Sequence, residues 1–117
     1  MGQPVVHFEI GSRNAAAAKS FYASLFGWNI EPHGPANMIN TGSVEGIQGN
    51  IAVTDQEPRS YVTVYVQVDD IDRSLNDVSA LGGKVLVPAT EVPGMGHFAW
   101  FSDLDSNAVG LWKNAES

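Results

Sequence analysis

Residues 61–87 read YVTVYVQVDDIDRSLNDVSALGGKVLV, and this stretch decides the fold. Val62, Val64, Val66 and Val68 share one face, and Tyr61, Thr63, Tyr65 and Gln67 the other, the period-two pattern of a strand. Asp69 or Asp70 then caps a helix whose apolar stripe is Ile71, Leu75 and Val78, with Leu81 adding to the core near its end. Gly82-Gly83 stops that helix before the strand Lys84–Val87. The turn Pro93-Gly94-Met95-Gly96 leads into a strand from His97 to Ser102, and Asp103–Asn107 turns the chain into a last one from Ala108 to Lys113. The order is β-α-β-β-β.

Working outward, the first half has the same order. VVHFEI, residues 5–10, alternates, with Val6, Phe8 and Ile10 on one side and His7 and Glu9 on the other. Ser12 or Asn14 caps a helix from Ala15 to Phe26, with Ala18, Phe21, Tyr22 and Leu25 at helical spacing, and Gly27 ends it before a strand at Trp28–Ile30. Pro32, Gly34, Pro35, Gly42, Gly46 and Gly49 break the middle into short pieces, with strands expected at Ala36–Asn40 and Ile47–Val53. Sliding the chain by 56 residues lays His7 on Thr63 and Phe8 on Val64, so the halves repeat. The expectation is an α+β fold of two βαβββ modules, about residues 4–55 and 60–114, in a single domain spanning 1–117. The modules form a cupped mixed sheet with helices on its outer face, and function is expected in the concavity.

Composition narrows the chemistry. Thirteen Asp and Glu against six Lys and Arg give a net charge of −7, a field that repels phosphate backbones and anionic headgroups, so neither nucleic acid nor membrane is an expected partner. Cysteine is absent, which removes disulfides, thiol catalysis and thiolate-held metals. The opening Met1-Gly2-Gln3-Pro4 lacks a basic, apolar leader, and a cytoplasmic location is the expectation. No phosphate loop, Gly-x-Ser-x-Gly elbow or His-Glu-x-x-His motif is present.

VVHFEI, FYASLFGW, YVQVDDID, ALGGKV and PGMGHFAWFSDLDSNAVGLW together resemble the vicinal oxygen chelate superfamily, which includes glyoxalase I, bleomycin-resistance proteins and extradiol dioxygenases. The likeness covers nearly the whole chain and is weakest from Pro32 to Glu57. It implies a homodimer and, in the enzymes of the superfamily, a divalent metal held by the first and fourth strands of each half. His7 matches a ligand histidine; the matching position in the second half is Thr63, a poor ligand, and Gly110 stands where metal enzymes carry a glutamate. The fourth position lies near Glu45 to Gly49, with Glu45 or Gln48 as candidate donors. That leaves at most two ligands where a catalytic site takes three and an open position, so no metal and no other cofactor is expected.

The reading that follows is a metal-independent protein that binds a small molecule with His7, Glu9, Thr63, Tyr65, Gln67, Gly110 and Trp112, and no catalytic residue is assigned. Catalysis stays open: the alternative is a glyoxalase-like lyase or isomerase, or a dioxygenase-like enzyme, with His7 and Glu9 as an acid–base pair or His7 on a metal. His97 and Trp100, with the Met95 turn, are candidates for a rim, Trp100 being read as core before rim, and His33 is read as an exposed loop residue.

Overall fold

A computed structural model of the chain describes residues 2–33 and 36–116; expectations that touch Met1, Gly34 and Pro35 lie outside them. Its elements are β1 (Val5–Gly11), α1 (Ala15–Phe26), β2 (Asn29–His33), β3 (Ala36–Asn40), β4 (Gln48–Ala52), β5 (Tyr61–Gln67), α2 (Ile71–Ala80), β6 (Lys84–Val92), β7 (Gly96–Ser102) and β8 (Ala108–Asn114). The class is α+β, two βαβββ modules in succession. The chain divides into two compact units, one being His7–Thr63 and the other joining the chain up to Val6 with the chain from Val64 onward.

Strand pairing repeats with the sequence. In the first unit β1 runs parallel to β4, and β3 pairs antiparallel with both β4 and β2. In the second, β5 runs parallel to β8, and β7 pairs antiparallel with both β8 and β6. Each module thus lays its last strand beside its first, as a helical crossover between parallel neighbours permits. A mixed pattern results in both.

The core of the first unit is a plate of isoleucines. Ile10, Ile30, Ile39 and Ile51 lie on one face of the strands, with Phe8, Ala18, Tyr22 and Trp28 packed against them. Ile39 and Ile51 are its most completely buried large side chains, and each burial contributes about 2–3 kcal/mol. Helix α1 starts because the Asn14 side chain accepts the Ala17 N–H at 3.0 Å, and it stops at Gly27, whose φ of 72° is left-handed. Its apolar stripe is narrower than the spacing suggests. Ala18 and Tyr22 reach the core, whereas Phe21 is 61% exposed and Leu25 58%. At 3.6 residues per turn the Phe21–Leu25 row lies about 60° around the axis from the Ala18–Tyr22 row.

The second unit buries Val68, Ile71, Leu75, Ala99 and Leu111, with Val66 and Phe101 against them. Asp70 caps α2 by accepting the Arg73 N–H at 3.0 Å. Of the valines at 62, 64, 66 and 68, only Val66 on β5 and Val68 just after it join this core; Val62 is 74% exposed, while Thr63 and Tyr65 on the opposite face are buried. Leu81, expected in the core, is 79% exposed. The helix ends at Ala80, and six residues beyond Leu75 is about 120° around the axis from it, which carries Leu81 off the buried stripe.

Candidate functional site

Residues directly paired in neighbouring strands project to the same side of the sheet, so the register sorts the candidate residues by face. In the first unit His7 pairs with Gln48 and Glu9 with Asn50, while Phe8 and Ile10 on the alternate positions turn to the isoleucine plate. His7, Glu9, Gln48 and Asn50 therefore share the face away from the core. His7 Nε2 lies 2.6 Å from Asn50 Oδ1, a contact in which the ring N–H donates to the amide oxygen. Gln48 turns to the chain instead, its Oε1 accepting the Thr41 N–H at 2.6 Å. Glu45, the other candidate for this region, is exposed in the preceding loop, where its N–H donates to Ser43 Oγ. The residue that the fold brings to His7 is Asn50.

Glu9 and Thr63 are buried polar residues of the same unit. The Tyr61 hydroxyl donates to Glu9 Oε2 at 2.5 Å. Burial first, and then the hydrogen bond and the negative charge of Glu9, hold the Tyr61 phenol well above its ordinary pKa of about 10, so it stays a proton donor. Gly11 makes the approach possible: a Cβ there would stand 2.7 Å from the Arg59 carbonyl oxygen and still closer to the Tyr61 ring. A carboxylate–phenol pair thus sits over a glycine of β1.

In the second unit Tyr65 pairs with Gly110 and Gln67 with Trp112, and β7 adds Trp100 opposite Gly110 and Phe98 opposite Trp112. The residues between them, Leu111, Ala99 and Val66, belong to the core, so Tyr65, Gln67, Gly110, Trp112, Phe98 and Trp100 share the other face. Trp100, expected in the core, is on this face, because its odd–even phase in β7 is set by Ala99 and Phe101 packing with the core. Its Nε1–H donates to the Tyr65 hydroxyl oxygen at 2.8 Å, and the two rings meet edge to face, 6.4 Å apart. Trp112 Nε1–H donates to Asn114 Oδ1 at 2.6 Å, and Asn114 Nδ2 reaches Gln67 Oε1 at 3.4 Å. His97 is exposed opposite Lys113 at the start of β7, and His33 is exposed at the end of β2.

Glycine at 110 is a consequence of Tyr65. A Cβ on Gly110 would lie 2.3 Å from Tyr65 Cδ2 and 2.8 Å from its Cγ, so the ring occupies the space where a side chain would begin. A glutamate cannot be accommodated there with Tyr65 as it stands. Asn50, which pairs with Glu9 as Gly110 pairs with Tyr65, is the corresponding last-strand position of the first module. Sequence reasoning missed Asn50 and Tyr61 and preferred the core for Trp100. The only signal for Asn50 was its place two residues beyond Gln48 on a strand whose register the glycines obscure, and for Tyr61 its shared face with Thr63 and Tyr65.

The chain as a whole is similar to known proteins. The family model of the Glyoxalase/Bleomycin resistance protein/Dioxygenase superfamily matches residues 5–111, and the chain belongs to that superfamily. It is 28% identical over 114 residues to the putative glyoxylase CFP32 of Mycobacterium bovis, covering 90% of this chain and 43% of that protein. It is 27% identical over 124 residues to the anthracycline biosynthesis protein DnrV of Streptomyces peucetius, covering 91% of this chain and 45% of that one. The chain spans less than half the length of both relatives. Among solved structures, a superfamily member from Vibrio splendidus 12B01 matches with a TM-score of 0.66 at 13% identity, covering 97% of this chain and 100% of that one.

The ligand set that the resemblance implies for a divalent metal is not assembled by the described residues. Among the described residues no three His, Asp or Glu side chains come together as a ligand set. His7 Nε2 is engaged by Asn50, Thr63 supplies only a hydroxyl, and Gly110 supplies nothing. No helix is long and apolar enough to cross a membrane, as far as the described residues go.

Proposed function

We propose that this chain is a small-molecule-binding member of the glyoxalase/bleomycin-resistance superfamily that works without a resident metal ion. The observation that carries the reading is the Tyr65 ring over Gly110, which fills a position where metal enzymes of this fold place a carboxylate. The His7–Asn50 contact supports it, since it engages the Nε2 of the ring with a neighbouring amide. In the second unit Tyr65, Gln67 and Trp112 supply ring surface and an amide on one face, the mixture of apolar area and polar groups with which small-molecule sites fix orientation.

The test is metal content of protein purified without added metal, together with thermal unfolding in the presence of Ni(II), Zn(II), Mn(II) and Fe(II). Binding to the native state alone raises the midpoint by mass action. The expected result is sub-stoichiometric metal and no saturable shift. A stoichiometric ion whose stabilisation disappears in His7→Ala overturns the reading.

The Glu9–Tyr61 contact favours a second reading, in which this pair moves a proton in a metal-free lyase or isomerase reaction. Turnover of an α-ketoaldehyde adduct that survives chelator and is lost in Glu9→Gln is its required result. Absence of turnover with intact ligand binding leaves the binding function.

A further inference from the structure

The two helices are built on different plans. Helix α2 buries Ile71 and Leu75 and turns Asp72, Arg73 and Asp77 outward. Helix α1, AAAAKSFYASLF, has Lys19 as its one charged side chain, and none of its 12 residues is fully buried. A helix that is apolar around most of its circumference is ordinarily covered on more than one side. Here Ala18 and Tyr22 meet the isoleucine plate, while Phe21 and Leu25 stay mostly exposed.

The open side of α1 has a definite relief. At 3.6 residues per turn Ala17, Phe21 and Leu25 form one row and Ala16, Ser20 and Ser24 the row beside it, and all six residues are exposed. The two rows take up about half the circumference, and Lys19 lies roughly 160° around the axis from Phe21. One row is tall and its neighbour is low. The Phe21 ring is braced edge-on against Tyr22, 5.2 Å between centroids, and Tyr22 stacks on Trp28 at 5.6 Å. An exposed ring held from below in this way has little conformational entropy left to lose on docking.

A tall row next to a low one is self-complementary. When i±4 rows of two helices interdigitate, the axes cross at about −50°, and a twofold axis lets each copy set its tall row over the low row of the other. Charge selects the same face. A chain of net charge −7 repels its own copies, but these two rows carry no charge, so a second copy brings no like charges together here.

Area sets the strength. Half the circumference of this helix, about 18 Å long and 10 Å across, presents roughly 300 Å², so two copies bury about 600 Å² from α1 alone. Phe26, 56% exposed at the end of the helix, extends the apolar surface. Val62 does so as well, on the side of the sheet that α1 covers, since its neighbour Tyr61 turns to Glu9 on the other side. The total approaches the roughly 1,000 Å² of a specific interface, which suits a reversible pair.

From these observations we infer that a second copy of this chain docks on α1, with Phe21 and Leu25 of each copy set into the Ala16–Ser20–Ser24 row of the other. The resemblance implies a homodimer without a surface; the inference is its surface and symmetry, and a separation of pairing from binding. Helix α1 covers the side of the strands that holds the isoleucine plate, whereas His7, Glu9 and Asn50 lie on the opposite side, so a copy docked here adds no residue to that polar strip.

Sedimentation velocity of the chain should show a monomer–dimer equilibrium between about 1 and 100 μM. Phe21→Glu combined with Leu25→Glu should weaken pairing at least about a hundredfold, with helical circular dichroism retained because both side chains are exposed. Phe21→Ala combined with Leu25→Ala keeps helix propensity and should weaken it at least about tenfold, which preserves the test if the charged variant fails to fold. Leu81→Ser, at an exposed leucine of the other unit, should leave pairing unchanged. Because the chain has no cysteine, Ser24→Cys and Asn76→Cys each offer a single thiol, and a short bismaleimide should join copies of the first and not of the second.

A chain that stays monomeric across this range overturns the inference. So does a dimer that survives in either folded double variant, or a dimeric preparation in which Ser24→Cys is not cross-linked. A monomer that sediments with phosphatidylcholine vesicles, and ceases to when Phe21 and Leu25 are replaced by glutamate, would give the face to a lipid surface and overturn it as well.

Discussion

The ring of Tyr65 lies where a side chain on Gly110 would begin, with Cδ2 2.3 Å from the position of a Cβ. Gly110 is thus required by its parallel neighbour on β5, and the two positions cannot vary independently. The relationship explains the absent carboxylate in packing terms and predicts how the pair responds to substitution.

Gly110→Ala is expected to cost about 1–3 kcal/mol, the range for overpacking a filled site. Tyr65→Ala alone is expected to cost about 3–5 kcal/mol, because it empties the site and removes the acceptor of the Trp100 N–H. In the double variant the added methyl no longer meets a ring, so the losses are less than additive. Urea unfolding of the four proteins gives the coupling energy, and strict additivity would show that the two residues do not share this space.

Tyr61 should titrate late. Its raised pKa means that the folded state holds the phenol proton more tightly than the unfolded state does. The resulting stability is complete below the ordinary tyrosine pKa of about 10 and is lost as pH rises beyond it. Alkaline difference absorption should contain a phase above the ordinary tyrosine range that Tyr61→Phe removes. That variant should also lose about 1–2 kcal/mol at neutral pH for the missing donor to Glu9.

Asn50→Ala leaves His7 without its 2.6 Å partner inside a buried polar strip and is expected to cost about 1–3 kcal/mol. NMR of the His7 ring should report the tautomer directly, with the Nε2-protonated form in the wild type. An Nε2 that is unprotonated in the wild type, shifting on Zn(II) addition, would contradict the hydrogen-bond assignment.

Helix α2 offers a contrast between two leucines. Leu75 is buried in the second core, and Leu75→Ala should cost about 2–5 kcal/mol. Leu81 is mostly exposed, so Leu81→Ser should stay within about 0.5 kcal/mol of wild type. A large loss at Leu81 would mean that another surface covers it in solution.

Local sequence information carried much of the fold. Asn14, Gly27 and Asp70 mark helix ends through their own backbone chemistry, and the alternation in β1 and β5 is written in residue types a strand apart, so the two βαβββ modules, their order and the faces of His7, Glu9, Tyr65 and Gln67 were legible. Register between distant strands is a different kind of fact. The pairing of Glu9 with Asn50 and of Tyr65 with Gly110 depends on how β4 and β8 slide against β1 and β5, and glycine-rich β4 has no alternation strong enough to set that slide in the sequence. For the same reason Tyr61 was not seen to meet Glu9, nor Trp100 to meet Tyr65, across 52 and 35 residues of chain. Sequence by itself determined which elements form and which side chains each strand presents, because those follow from neighbours along the chain. Only the tertiary structure decided that Asn50 takes the His7 ring, that Leu81 leaves the core and that Tyr65 lies down on Gly110, because each depends on volume filled by residues far away in sequence.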